Sequence, residues 1–427
     1  MKKILVIAIL IFRIVLIDAQ EVNAQKISAG SLHSLFLCSN SIPMACGSNS
    51  YGELGDSTTS LRKIPIQVHN LSGINSIASG TYHSLFLKND STVWACGNNF
   101  YSALGDGTNI DRHTPVHISS INSIIAIAAA GHSLFLKKDG TVWACGYNNY
   151  GELGDNTNTP RNIPVQITAL NTPCMAIAAG SAYSLFLKND STVWGCGCNN
   201  RGQLGDSTTT QRNIPVKANN LTGIIAISAG DVHSLFLKKD GTVWACGNNP
   251  NGELGDGTTT SKTTPIKINS LSDITAIAAG QSYSLFLKND GTVWGCGSNY
   301  NGTLGDGTDT DRYIPVQINS LNNIKIISAG GSSIFLKTDS TVWNCGDNSY
   351  GQLGNGTNGA TAFSLIPIQL NGLCNNITSI NESIIENTIN VYPNPTKDNL
   401  TIETNSNTNQ RLEILNLIGQ TVYTTII

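Results

Sequence analysis

Charge is scarce in this chain: Asp, Glu, Lys and Arg make up only 12% of its 427 residues, and the formal net charge is -3. No basic patch or stripe is available to hold a phosphate backbone, so nucleic acid is not expected as a partner. Solubility must come instead from Asn, Ser, Thr and Gly. Aromatic residues are few, at 7%, so any that cluster on a loop carry information. Beyond Ile17 no apolar run approaches the ~20 residues that a membrane-spanning helix needs. Chemical motifs are missing too: there is no nucleophile elbow, no phosphate loop and no His-Glu-x-x-His. Ser, His and Asp are scattered, but no segment holds a private set of all three. The sequence therefore assigns no catalytic residue, no metal ligand and no cofactor.

What is present is repetition. Cys-Gly pairs fall at Cys46, Cys96, Cys145, Cys196, Cys246, Cys296 and Cys345, with spacings of 49 to 51 residues. Each unit adds a Leu-Gly-Asp or Leu-Gly-Asn, from Leu54-Gly55-Asp56 to Leu353-Gly354-Asn355, and a later Pro, from Pro65 to Pro367. A repeat of this kind buries its apolar face only against its neighbours, so the units stack. Within one unit, Ile224 to Ala229, His233 to Leu237 and Thr242 to Cys246 are short β-prone runs, and a fourth strand follows around Pro215 to Lys217 or Pro315 to Ile318. Asp240-Gly241 between two such runs is a hairpin signal, and Pro suits an edge strand. Seven units of four antiparallel strands predict an all-β, seven-bladed propeller over residues 25–374.

The phrases Ala229-Gly230-Asp231-Val232-His233-Ser234-Leu235, Asp240-Gly241-Thr242-Val243 and Gly252-Glu253-Leu254-Gly255-Asp256 resemble the repeat of the regulator of chromosome condensation (RCC1) family over about residues 26 to 372. The resemblance implies a seven-bladed propeller. It leaves function open, because that family holds both a nuclear exchange factor and secreted inhibitors. Copies one and three depart most: Met44 replaces the Trp of the other six, and Ala130-Gly131-His132 is read as a first turn two residues short.

The ends point to export. Lys2-Lys3, the apolar stretch from Ile4 to Ile17 and Val22-Asn23-Ala24 read as a signal peptide over residues 1–24, with a retained helix as the competing reading. After a linker at 375–390, Val391-Tyr392-Pro393-Asn394-Pro395 and Arg411 to Gly419 resemble the C-terminal sorting domain of type IX secretion. That resemblance implies a small β-sandwich read by the secretion machinery, here partial over 391–427, and a secreted or outer-surface location in a bacterium. No stable membrane span is expected after processing.

Eleven Cys in an exported chain raise the question of disulfides. Seven recur at one place in seven units, which favours buried free thiols, while Cys38 and Cys46, facing across the first hairpin, could pair. His33, His83, His132 and His233 share one repeat position with Tyr183, Tyr283 and Ser332. A zinc ion needs three or four ligands converging on one point, so one His per blade reads as a hydrogen-bonding spacer between blades. Asp306-Gly307-Thr308-Asp309-Thr310-Asp311 has a calcium-like composition, but Asp306 recurs as Asp56, Asp106, Asp155, Asp206 and Asp256, as turn residues do.

Strand parity puts the first turn and the long third loop on one face of the disc and the hairpin on the other. The hairpin hardly varies. The third loop does, opening with Tyr51, Phe100 and Tyr101, Tyr147 and Tyr150, Arg201, Tyr300 and Tyr350. Tyr and Arg among small polar residues have the composition of recognition surfaces, so these are the candidate ligand-binding residues, and the expected function is an exported scaffold binding a protein or glycan. Unconstrained drift of these loops would give the same variation. The alternatives from other classes are a hydrolase with its site at the axial channel and a structural adhesin component.

Overall fold

The structure, a computed structural model, describes residues 24–374 together with four short strands at 390–392, 401–403, 411–415 and 421–426. Each repeat folds into one four-stranded antiparallel sheet whose strands neighbour one another in chain order, and there are seven such sheets. The fifth is typical: Ile224–Ala229, His233–Lys238, Val243–Gly247 and Lys262–Lys267. First strands line the axis, and blade seven packs on blade one, closing the ring. Fourth strands lie outermost and are mostly half-buried or exposed, with the Pro the one buried residue of strands such as Arg212–Lys217 and Lys262–Lys267. The fourth strand starts three residues before its Pro, because Arg212 and its equivalents pair with the Gly that ends the third strand.

Seven apolar clusters fill the seven junctions, one each. Between blades two and three, Leu85, Leu87, Val93, Ala95 and Leu104 meet Phe135 and Cys145, with Trp143 partly buried against them. The Phe of the second strand is fully buried in every blade. The hairpin forms around an Asx turn, in which Asp240 Oδ1 accepts from Thr242 N and Oγ1. Gly241 takes φ +76° there, but Ser91, Ser191 and Ser340 hold the same position at +66°, +62° and +69°, so the turn does not demand glycine. Near the axis six of the seven blades keep a glycine where space is short: a Cβ on Gly230 would lie 2.6 Å from His233 Cε1 and against the Gly280 carbonyl.

The first turn corrects the reading of copy three. Ser133 pairs with Ala129 as Ser234 pairs with Ala229, so Ala130 stands where others have Gly and one residue is missing, not two. Blade seven, with Gly330-Gly331-Ser332, is shortened in the same way. Both blades keep all four strands.

Cys38 and Cys46 do not pair. The ladder sets Cys46 opposite Ser34, while Cys38, at the strand's far end, joins Cys374 across 5.7 Å between Cα atoms. The seven repeated thiols are buried and unpaired, and burial pushes them well up from their ordinary range.

Residues 1–23 of the expected signal peptide (1–24) and residues 375–389 of the expected linker (375–390) lie outside the described residues. The C-terminal unit, from Asn376, is compact by itself, with Asn390–Tyr392 paired to Thr401–Glu403 and Arg411–Leu415 to Thr421–Ile426. Among the described residues no helix is long and apolar enough to cross a membrane.

Candidate functional site

The long third loop is a rigid frame. In blade four, buried Asn199 accepts from Leu204 N at 3.0 Å and donates to Asp206 Oδ1 at 2.9 Å. Asp206 also takes Thr208 N and Oγ1, and its Oδ2 meets Arg212 at 2.7 Å. Blades one, two, three and six repeat the Asp–Arg pair, and blade five uses Lys262 at 3.4 Å. The Asp306 carboxylate of the acidic stretch is held in this way by Asn299, Thr308 and Arg312. Hydrogen bonding to Thr308 and Arg312 outweighs burial and keeps that carboxyl below its usual value.

Five loops carry a second brace that the sequence reading missed. Glu53, Glu152, Gln203, Glu253 and Gln352 accept from the backbone N–H two residues earlier, at 2.8 to 3.0 Å. Burial raises the Glu152 carboxyl to about 7. Blades two and six have Ala103 and Thr303 at this position.

On this frame the candidate residues project outward. Phe100 and Tyr300 are the most exposed, at 68% and 74%; Tyr51, Tyr101, Tyr150, Tyr350 and Arg201 are exposed, and Tyr147 is half-buried. Four of them form one chain of rings over blades two and three: Phe100 to Tyr101 at 4.8 Å, Tyr101 to Tyr147 at 5.0 Å and Tyr147 to Tyr150 at 6.3 Å. Tyr51 instead meets Tyr82 at 5.6 Å. Arg201, Tyr300 and Tyr350 stand apart from these ring contacts. Tyr82, exposed on a first turn, was missed; its signal was the varying residue before the repeated His. First turn and third loop share one face, since Tyr82, Asn98, Tyr101, Gly131 and Tyr147 border one depression of about 260 Å³.

The repeated His residues join blades. His33, His83, His132 and His233 each place Nε2 2.7 to 3.0 Å from a Ser Oγ of the next blade. Such His–Ser pairs look like a nucleophile and its base, but both groups are buried, and each Ser hydroxyl donates to a carbonyl such as Glu53 O. Nε2–H is therefore the donor, and nothing activates the Ser. Burial lowers these imidazoles to about 3 at His33 and His132 and about 4 at His83 and His233. Where Tyr substitutes, Tyr183 Oη donates to His233 O and Tyr283 Oη to Ser332 O.

At the axis a cleft of about 70 Å³ is lined by Ala, Gly, Ser and Thr, with Gln281 and the one ionisable lining residue, Asp231. Burial lifts the Asp231 carboxyl to about 6.

A closed disc of seven sheets with braced, variable loops on one face defines the class, a seven-bladed repeat propeller. The profile of the RCC1-like domain matches residues 117–389, and RCC1 repeats match 45–87, 74–102 and 90–136. The chain belongs to the RCC1-like domain family. Residues 390–427 match the secretion system C-terminal sorting domain. With that tail, the protein is exported by bacterial type IX secretion and is secreted or at the cell surface. Among solved structures, Prp20p from Saccharomyces cerevisiae is 23% identical with a TM-score of 0.70, covering 83% of this chain and 89% of its own. Human WBSCR16 is 22% identical with a TM-score of 0.66, covering 72% and 84%. At this identity the likeness is one of fold. No curated protein matches the chain in sequence.

Proposed function

We propose that the protein is an exported binding scaffold whose third loops and first turns recognise a macromolecule, a protein or a glycan. The observation that carries this reading is the contrast within one loop. Asn, Asp and Thr hold the frame the same way from blade to blade, while the side chains pointing outward change and gather into a ring cluster over blades two and three. Drift alone would loosen the frame together with the tip. The solved relative Prp20p is described as binding Gsp1p and histones, so a propeller of this family can serve as a protein-binding surface. The sorting tail supports a further contact with the secretion machinery. An axial hydrolase is disfavoured by the cleft: pockets for small molecules run to ~300–1,000 Å³, and about 70 Å³ with one carboxylate offers neither room nor an acid–base pair.

The test is retention of partners from native medium on the immobilised mature chain. Replacing Tyr101, Tyr147 and Tyr300 together by Ala should abolish retention without lowering the melting temperature. Unchanged retention would refute the reading.

A further inference from the structure

Two departures from the repeat occur together, and only at two of the seven junctions. Blades two and six lack the Glu or Gln brace, having Ala103 and Thr303, and the blades that follow them, three and seven, have the shortened first turn. At those junctions lie depressions of about 260 and 330 Å³, bordered by Ala103 with Gly131 and by Thr303 with Gly331. In the other five blades the first turn holds one more residue, whose carbonyl accepts from the N–H that opens the third loop, as Tyr82 O does from Asn98 N at 2.8 Å. The shortened turns remove that carbonyl from Tyr147 and Asp347, leaving two N–H groups without a protein acceptor among the described residues. Each depression thus combines a volume, an unpaired backbone donor at its border and a Tyr from the preceding loop, Tyr101 or Tyr300.

We propose, resting on the binding-face reading above, that these junctions are saccharide pockets for a neutral glycan, with the pocket between blades two and three as the principal one. Its rim is formed by Tyr82, Tyr101 and Tyr147, with Tyr101 and Tyr147 set 77° apart so that the rings make a cup. Asn98 and Thr81 add polar atoms, and the one other ionisable group, His83, is neutral above about 4. A ligand here must be uncharged, must offer an apolar face to aromatic rings, and must carry groups that both donate and accept, to match phenols, a carboxamide and a free N–H. A pyranose ring meets all three conditions. A peptide backbone fits less well, because the neighbouring main chain is already paired, Thr81 N with Ala130 O and Asn98 N with Tyr82 O, and offers no edge to extend. The second pocket carries the Asp347 carboxylate, held by Asn301, Ser349 and Gln352, which accepts hydroxyls and repels acidic sugars.

The test uses an array of immobilised neutral oligosaccharides (glucans, mannans, galactans, xylans and chito-oligosaccharides) beside sialylated and sulfated ones. The mature chain should bind at least one neutral class. Tyr101→Ala should weaken that binding at least about tenfold with an unchanged melting temperature, and one Ala inserted between Gly131 and His132 should do the same by refilling the pocket. A blank array, a preference for acidic glycans, or binding indifferent to Tyr101→Ala would overturn the proposal. If the array is blank while a protein from native medium is still retained through Tyr101, Tyr147 and Tyr300, the saccharide inference fails and the binding face stands; if both are blank, both fail.

Discussion

A single position near the axis, His in four blades and Tyr in two, shows how one residue can link neighbours and set a pH response. Each imidazole is buried neutral and donates once, from Nε2, to the next blade. Because the folded pKa is depressed below the ordinary value near 6.5, the unfolded chain takes up protons first as pH falls. The stability these groups provide is full above about 6.5 and is lost progressively toward 4 and 3. Each such proton weighs about 1.4 kcal/mol per pH unit. Glu152 and Asp231, raised to about 7 and 6, act in the opposite sense: their burial penalty is relieved on acidification. Replacing both His83 and His233 by Tyr, the residue blades four and six already use, should flatten the fall in melting temperature between pH 6.5 and 4. An unchanged slope would show that other groups control it. The spacer role was legible in the sequence because Tyr, a poor zinc ligand but a good donor, shares the position. The donor direction was not legible, since it depends on a carbonyl about thirty residues away in the chain.

At the scale of the blade, the strands were legible where turn chemistry marks them: Asp-Gly or Asp-Ser at the hairpin and Ala-Gly at the axis. The fourth strand was misplaced at its start because Pro marks its middle, while the pairing begins at Arg212 or its equivalent, whose side chain also reaches the loop's Asp. That Asp–Arg pair was invisible as a pair; only the Asp was noticed, as a turn former. Asp206→Asn, which copies the natural Asn355 of blade seven, should cost about 1 kcal/mol in denaturant unfolding, and Asp206→Leu more, since it also strips Thr208 and Asn199 of their acceptor. Equal stability of all three proteins would remove the loop frame from the account. Among the candidate binders, the sequence treated residues from six loops as one set. The structure gathers Phe100, Tyr101, Tyr147 and Tyr150 and leaves Arg201 outside, because which rings touch depends on blade-to-blade geometry that loop composition does not encode.

For the whole molecule, the ring closes without exchanging a strand between its ends: blade one is built entirely from the N-terminal repeat and blade seven from the last. Closure falls to side-chain packing, a backbone hydrogen bond and one covalent link. Ile27, Phe36 and Met44 pack on Ile334, Leu336 and Leu370; Gly331 N donates to Gly30 O; and Cys38–Cys374 ties residues 336 apart in sequence. A link over so long a loop restricts the unfolded chain strongly, so Cys38→Ser with Cys374→Ser should cost roughly 2–5 kcal/mol, with reductant lowering the melting temperature of the parent protein but not of the double variant. The seven-fold count and the ring were readable from the repeat period; the partner of Cys38 was not, because it lies at the far end of the chain. The claim that specificity belongs to the loop face is tested most directly by hydrogen–deuterium exchange of the propeller with and without a captured partner. Protection is expected over residues 98–103, 147–151 and 298–303, and protection confined to the hairpins at 88–92, 188–192 and 288–292 would contradict it.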